Sequence, residues 1–300
     1  MPVVAADANK YTRGKFAVFG GSAKYPAAPV MTALAAPRVG CGYTTLNVPG
    51  SALACARLHV LSTTVAGLPE EGGCLCAAAV APARLALSTA AAFTVGPGLD
   101  RTTASAEFLA AFLASDEARA VSGVVDADAL SLLAGMREKF LAAREGARPV
   151  VLTPHHGEAS RLLGGRKIVD PAFDAAELAR IYKSVVVLKG PDTLVAGPDG
   201  ALCAICDGGP ELAKAGSGDV LAGVIGSLLA QGLEAFDAAC LGVWLHARAG
   251  ALAAAELGIA SVVPEDLPGY LSHAIRSLEP LSPSLSEAQA DARRRAGYSS

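Results

Sequence analysis

Five short apolar runs, each ending in a glycine or polar cluster, recur along this chain of 300 residues. Phe16-Ala17-Val18-Phe19 leads into Gly20-Gly21-Ser22, and the run from Ala92 to Val95 leads into Gly96-Pro97-Gly98. Gly123 to Val125 meets Asp126-Ala127-Asp128, and Pro149 to Leu152 meets Thr153-Pro154-His155-His156-Gly157-Glu158. Ser184 to Leu188 ends at Lys189-Gly190. The runs are continuous rather than alternating, as parallel strands covered on both faces must be. Helix-compatible stretches separate them, among them 28–39 and 103–119, and Tyr43 to Val48 reads as a further strand. This alternation implies an α/β fold with a central, mostly parallel sheet between two helical layers. Ligands in such sheets collect beyond the carboxyl ends of the strands. All five clusters lie there, which favours one composite site over five unrelated loops.

The stretch from Ala215 to Gly223, Ala-Gly-Ser-Gly-Asp-Val-Leu-Ala-Gly, supplies the chemistry. Glycine-rich backbone precedes an apolar, helix-compatible run, with one carboxylate at the junction. Small residues let backbone N–H groups approach a ligand, and a helix start adds unpaired donors and partial positive charge. Asp219 beside a bound phosphate could take the proton of a hydroxyl about to be phosphorylated. Capping of the helix is its structural alternative. From Val220 to Leu257 the chain reads as two packed helices broken near Gly232.

Composition bounds the partners. With 52% hydrophobic and 18% charged residues the chain can bury a large Ala/Val/Leu core, and a net charge of −3 gives no argument for nucleic acid or an acidic membrane surface. No stretch offers about 18 uninterrupted apolar residues. Met1 to Asp7 has neither a basic nor a long apolar leader, so a cytoplasmic location is expected. The seven cysteines read as small hydrophobes, and Cys203-Ala204-Ile205-Cys206 as a short strand rather than half of a zinc site. Residues 1–280 are expected to form one domain and 281–300 a flexible tail.

Gly-Ser-Gly-Asp before an Ala- and Gly-rich helix resembles the anion-hole signature of the ribokinase-like superfamily. Four further segments are similar to its NAD(P)H-hydrate dehydratase branch: Val95 to Leu99, Val125 to Leu130, Thr153 to Glu158 and Val187 to Gly190. With Lys214 to Asp219 they follow the family's order across residues 16–250. The resemblance implies a three-layer α/β/α sandwich and a repair reaction that is ADP- or ATP-dependent. In hydrated NADH or NADPH (NADHX, NADPHX) water has added across a ring double bond. Phosphorylation of the resulting hydroxyl makes it a leaving group, and loss of phosphate restores the ring.

The resemblance assigns roles residue by residue. Asp219 is the base, and the backbone N–H groups of Gly216, Ser217 and Gly218 hold the transferring phosphoryl. Lys189, Gly190, Pro191, Asp192, Thr193 and Lys214 contact the adenine nucleotide, as does Gly218. Ala28, Gly98, His155 and Asp219 border the substrate. His156 and Ala27 depart from the family's usual Pro and Gly. Asp126 and Asp128 either orient water or Mg²⁺ near the phosphates or cap the following helix. His246, in an apolar helix, reads as a core histidine. A homotetramer, Mg²⁺ with the nucleotide and a separate NAD(P)HX epimerase are also implied. The competing readings are a kinase for a hydroxymethylpyrimidine- or hydroxyethylthiazole-type vitamin precursor and a non-catalytic nucleotide-binding regulator.

Overall fold

The computed structural model describes residues 1–2 and 4–278, so the tail expected over 281–300 lies outside them. The strands are β1 (Lys15–Phe19), β2 (Tyr43–Pro49), β3 (Thr63–Leu68), β4 (Glu70–Glu71), β5 (Cys74–Leu75), β6 (Ala92–Val95), β7 (Ser122–Val125), β8 (Val150–Leu152), β9 (Val185–Leu188), β10 (Thr193–Ala196) and β11 (Leu202–Ile205). Nine of them form one sheet in the order β11-β10-β9-β8-β7-β6-β1-β2-β3, while β4 and β5 make a small hairpin. From β9 to β3 every neighbouring pair is parallel. β10 and β11 turn back antiparallel at one edge.

Two helical layers cover the sheet, because successive side chains on each strand point to opposite faces. Phe16 and Val18 of β1 join a core with Val124, Val151 and Val187 under α1 (Ala28–Arg38). The same layer contains α2 (Leu53–His59) and, from the end of the chain, α10 (Ser217–Ala230), α11 (Ala235–Leu257) and α12 (Leu267–Arg276). Ala17 and Phe19 face the other way, with Phe93, Val125, Leu152 and Leu188. There they meet α3 (Val80–Leu87), α4 (Thr103–Ala114), α5 (Asp116–Ala120), α6 (Asp128–Ala134), α7 (Arg137–Arg144), α8 (His156–Leu162) and α9 (Pro171–Tyr182).

Three expectations change in detail. The helix expected over 103–119 is two, because Ser115 adopts an extended conformation and its side chain accepts from Ala118 N to start α5. β3 and β10 did not stand out in the sequence. Among the described helices, α11 is long and apolar enough to cross a membrane, although no long uninterrupted apolar run encodes it. Here it is packed between α10 and α12 and against the sheet, with Ala238, Gly242, Leu245 and Ala249 buried.

α10 is the element that positions the site, and small residues let it approach its neighbours. A Cβ on Gly223 would lie 2.2 Å from the Thr32 carbonyl oxygen of α1, and one on Gly226 would meet the Phe16 ring. Ser227 Oγ donates to Ala36 O at 2.9 Å, and Thr32 Oγ1 donates to Asp219 O at 2.9 Å. The first turn of α10 is thereby fixed over the ends of the central strands.

Candidate active site

A cleft of about 870 Å³ opens at the carboxyl ends of β7, β8 and β9, against the start of α10. Lys189, Gly190, Pro191, Thr193, Lys214, Gly216, Ser217, Gly218, Asp219 and His155 all line it. Asp192, Ala28 and Gly98 do not. Ala28 and Gly98 meet each other instead: Gly98 has φ +64, and a Cβ there would lie 3.0 Å from Ala28 Cβ. Ala28 stands one helical turn before Thr32, whose hydroxyl holds the Asp219 carbonyl. The Ala28–Gly98 pair therefore borders the loop from the α1 side.

Gly216 is the N-cap of α10, with φ +101, a backbone conformation that a side chain would strain. Asp219 makes no capping bond, so its structural alternative is not realised. Neither Asp126 nor Asp128 caps α6; its N-cap is Ala127, without a side-chain bond. Asp128 Oδ2 accepts instead from Asp100 N at 3.0 Å. Ala127 itself has φ +52, and this unusual turn separates the two carboxylates.

Lys189 holds the centre. Its Nζ lies 3.0 Å from Asp126 Oδ1, an oxygen that also accepts from Thr153 Oγ1 at 2.7 Å. Asp126 is 1% exposed, while the lysine side chain keeps 21% exposure toward the cleft. Burial works against the lysine's charge, but Asp126, Glu158 and Asp219 outweigh it and raise its pKa. A Cβ on Gly218 would lie 3.2 Å from this ammonium, so the glycine lets backbone and cation share one space.

Around this cation the other groups are pushed from their ordinary values. Burial, then repulsion from Asp126, raises the Asp219 carboxyl to about 8 against the pull of Lys189. Burial also raises Glu158, to about 7. His155 is the N-cap of α8: Nδ1 accepts from Gly157 N at 2.9 Å and Glu158 N at 3.4 Å, while Glu158 Oε2 accepts from His155 N at 2.9 Å. A nitrogen accepting two backbone bonds leaves the proton of the neutral ring on Nε2. Burial and Lys189 favour that neutral form by lowering its pKa.

Lys214 lines the cleft but turns its ammonium onto Ala260 O at 2.8 Å. Among the described residues no cluster of His, Cys, Asp and Glu is arranged to hold a metal ion. Asp126, the best-placed carboxylate, is engaged by Lys189 and Thr153. The residues do not fit a dedicated Mg²⁺ cage; an ion entering with a nucleotide would keep phosphate and water ligands.

Three members of the site had no settled role in the sequence. Glu158 was visible only as part of a motif, and Asp126 only as one of two ambiguous carboxylates. His246, read as a core residue, is buried but lines the cleft, and its Nε2 lies 3.1 Å from Ser217 Oγ. No local pattern links residues 29 positions apart on two helices.

Comparison with known proteins converges on one family. A family model described as NAD(P)H-hydrate dehydratase matches residues 16–273. The chain is 40% identical over 260 residues to the ADP-dependent (S)-NAD(P)H-hydrate dehydratase of Neisseria meningitidis, covering 86% of this chain and 83% of that one. It is 36% identical over 283 residues to the bifunctional NAD(P)H-hydrate repair enzyme of Moorella thermoacetica, covering 93% of this chain and 52% of that protein, about half its length. The crystal structure of the ADP/ATP-dependent NAD(P)H-hydrate dehydratase from Bacillus subtilis, co-crystallised with ATP/Mg²⁺, superposes with a TM-score of 0.76. It is 25% identical, and the match covers 93% of this chain and 95% of that one.

Proposed function

The chain belongs to the NAD(P)H-hydrate dehydratase family, and from that premise and the geometry of the cleft we propose that it repairs hydrated NADH and NADPH at the expense of ADP or ATP. The observation that carries the chemistry is the meeting of the Asp219 carboxyl, the start of α10 and the Lys189 ammonium in one cleft. Asp219 takes the proton of the substrate's C6 hydroxyl, and the oxygen attacks the terminal phosphorus of the nucleotide. The bond to the bridging oxygen breaks, releasing AMP from ADP or ADP from ATP. The C6–O bond then breaks with its electron pair leaving on inorganic phosphate, a proton leaves C5, and the ring double bond returns.

The chain's residues make this passable at neutral pH. The backbone N–H groups of Gly216 and Gly218 are assigned to the charge that builds on the transferring phosphoryl, whereas that of Ser217, expected to join them, donates to Lys214 O at 3.2 Å and closes the turn before α10. Lys189 supplies a fixed positive charge beside them. With its pKa raised to about 8, the Asp219 carboxylate, once it has lost its own proton, is a stronger base toward an alcohol than an ordinary aspartate. Gly190, Pro191, Asp192, Thr193 and Lys214 are assigned to the nucleotide side, and Ala28, Gly98 and His155 to the nicotinamide side. Asp192 and the Ala28–Gly98 pair lie outside the cleft lining and would be reached by a ligand extending beyond it.

Neither a vitamin-precursor kinase nor a non-catalytic regulator is favoured by the family match. A homotetramer in the cytoplasm, working with a separate epimerase, completes the reading; fusion of repair activities in the bifunctional relative supports the epimerase link. The test is recovery of NADH absorbance from NADHX with ADP, with ATP and with neither, in Mg²⁺. Nucleotide-dependent recovery is expected. Phosphorylation of vitamin precursors without any recovery would overturn the proposal.

A further inference from the structure

Ser217 and His246 form a contact that the chemistry above leaves without a task. Ser217 is the first residue of α10 and is 5% exposed; His246 lies on α11 and is 7% exposed. Ser217 Oγ and His246 Nε2 are 3.1 Å apart, and both residues line the cleft. Burial, helped by the charge of Lys189 and opposed by a hydrogen bond to the Ser217 backbone, pushes the imidazole down to about 4, so at neutral pH only one ring nitrogen carries a proton.

The two tautomers show opposite faces of this bond to an anion. With the proton on Nδ1, Nε2 accepts from the serine, and Ser217 offers only lone pairs to a phosphoryl oxygen. With the proton on Nε2, the imidazole donates to Ser217 Oγ, and the serine hydroxyl is free to donate. An anion at the start of α10 selects the second arrangement, because a buried lone pair facing negative charge is costly.

We propose that His246, as its Nε2–H tautomer, holds Ser217 so that the serine hydroxyl donates to the transferring phosphoryl group. The anion site then has a side-chain arm beside its backbone N–H groups. Ser217 touches the reacting group; His246 is a positioning residue acting through it. The inference rests on the phosphoryl-transfer reading of the cleft.

Steady-state kinetics of Ser217→Ala, His246→Leu, His246→Gln and the Ser217→Ala/His246→Leu double variant test it. Loss of one preorganised donor costs about 100-fold in kcat. Ser217→Ala and His246→Leu should each lose roughly that factor while KM for nucleotide stays within about twofold. The double variant should lose no more than either single one, as expected for two residues acting as a unit. Gln carries an amide N–H toward the place of Nε2, so His246→Gln should recover most of the rate. A wild-type kcat in Ser217→Ala, or single losses that multiply in the double variant, would overturn the pair. If His246→Leu does not fold, Ser217→Ala and His246→Gln still decide.

Calorimetric binding of orthovanadate in the presence of AMP or ADP reads the anion site without the nicotinamide substrate. Weaker vanadate binding by Ser217→Ala than by wild type supports the hydroxyl arm. Equal affinity, or no binding to either, overturns it. A wild type that fails to restore NADH yet shows the vanadate contrast would refute the repair reading and leave the pair standing.

Discussion

Asp219 carries a conflict between stability and chemistry that can be measured from both sides. Its carboxyl is raised to about 8 from an ordinary value of 3.8, chiefly by burial and by Asp126. Between those values the folded state binds a proton that the unfolded state has lost, so stability falls as pH rises through this window. Asp219→Asn removes that liability while keeping the shape. Its melting temperature should match wild type near pH 4 and exceed it increasingly toward pH 9. The same variant should lose roughly 100- to 10,000-fold in kcat and still bind ADP by calorimetry. A variant no more heat-stable than wild type at pH 9 would show that the carboxyl is not strained by burial; near-normal turnover would show that it is not the base.

Lys189 is the complementary case. Removing its ammonium leaves Asp126 at 1% exposure without its counter-charge, and breaking a buried pair from one side costs about 3 kcal/mol. Lys189→Met should therefore shift the urea midpoint strongly at pH 7. The lysine's pKa is raised above its ordinary 10.5, so the contribution is complete below that value and fades as pH rises through the folded value. A midpoint unchanged at pH 7 would mean that Asp126 is satisfied by Thr153 alone. Lys189 and Asp219 were legible in the sequence because each follows a strand or glycine loop at a ligand-bearing edge. The Asp126–Lys189 pair was not, since its partners are 63 positions apart and join only when β7 and β9 flank β8.

At the scale of elements, α10 shows how packing delivers chemistry. The sequence reads Gly216 and Gly218 as a phosphate cradle, and the structure gives Gly223 and Gly226, farther along the helix, a different task. The latter pair face α1 and β1, where there is no room for a methyl group. In an exposed helix Gly→Ala gains up to about 1 kcal/mol. Gly223→Ala should do the reverse, because its Cβ would stand 2.2 Å from a backbone oxygen that cannot swing aside. Overpacking of this kind costs about 1–3 kcal/mol. Thr32 carries that oxygen and also holds Asp219 through its hydroxyl, so activity should fall with the melting temperature. Ordinary stability with ordinary turnover in Gly223→Ala would mean that α1 and α10 can part without disturbing the site. The helix itself was expected from its apolar run; its close approach to α1 was not, because nothing in the local pattern names the partner.

Across the whole molecule, the parallel strands were legible because burial on both faces leaves continuous apolar runs with polar ends. The edges were not. β3 has only Leu68 buried and Leu61 fully exposed just before it, and β10 begins inside a segment already assigned to the nucleotide. The cleft depends on this architecture, since β8 and β9 supply one wall and α10 and α11 of the opposite layer supply the other. A ligand that bridges the walls ties distant parts of the chain together, and only the folded state offers both. At a free concentration 100-fold above Kd, ADP or ATP should stabilise the fold by about 2.7 kcal/mol. For a chain of this size that corresponds to roughly 4–5 °C in Tm. Lys189→Met should lose most of the shift, whereas Asp219→Asn should keep it, because one removes charge from the phosphate side and the other only a base. Equal shifts in both variants would place the nucleotide away from Lys189 and require a different wall of the cleft to hold it.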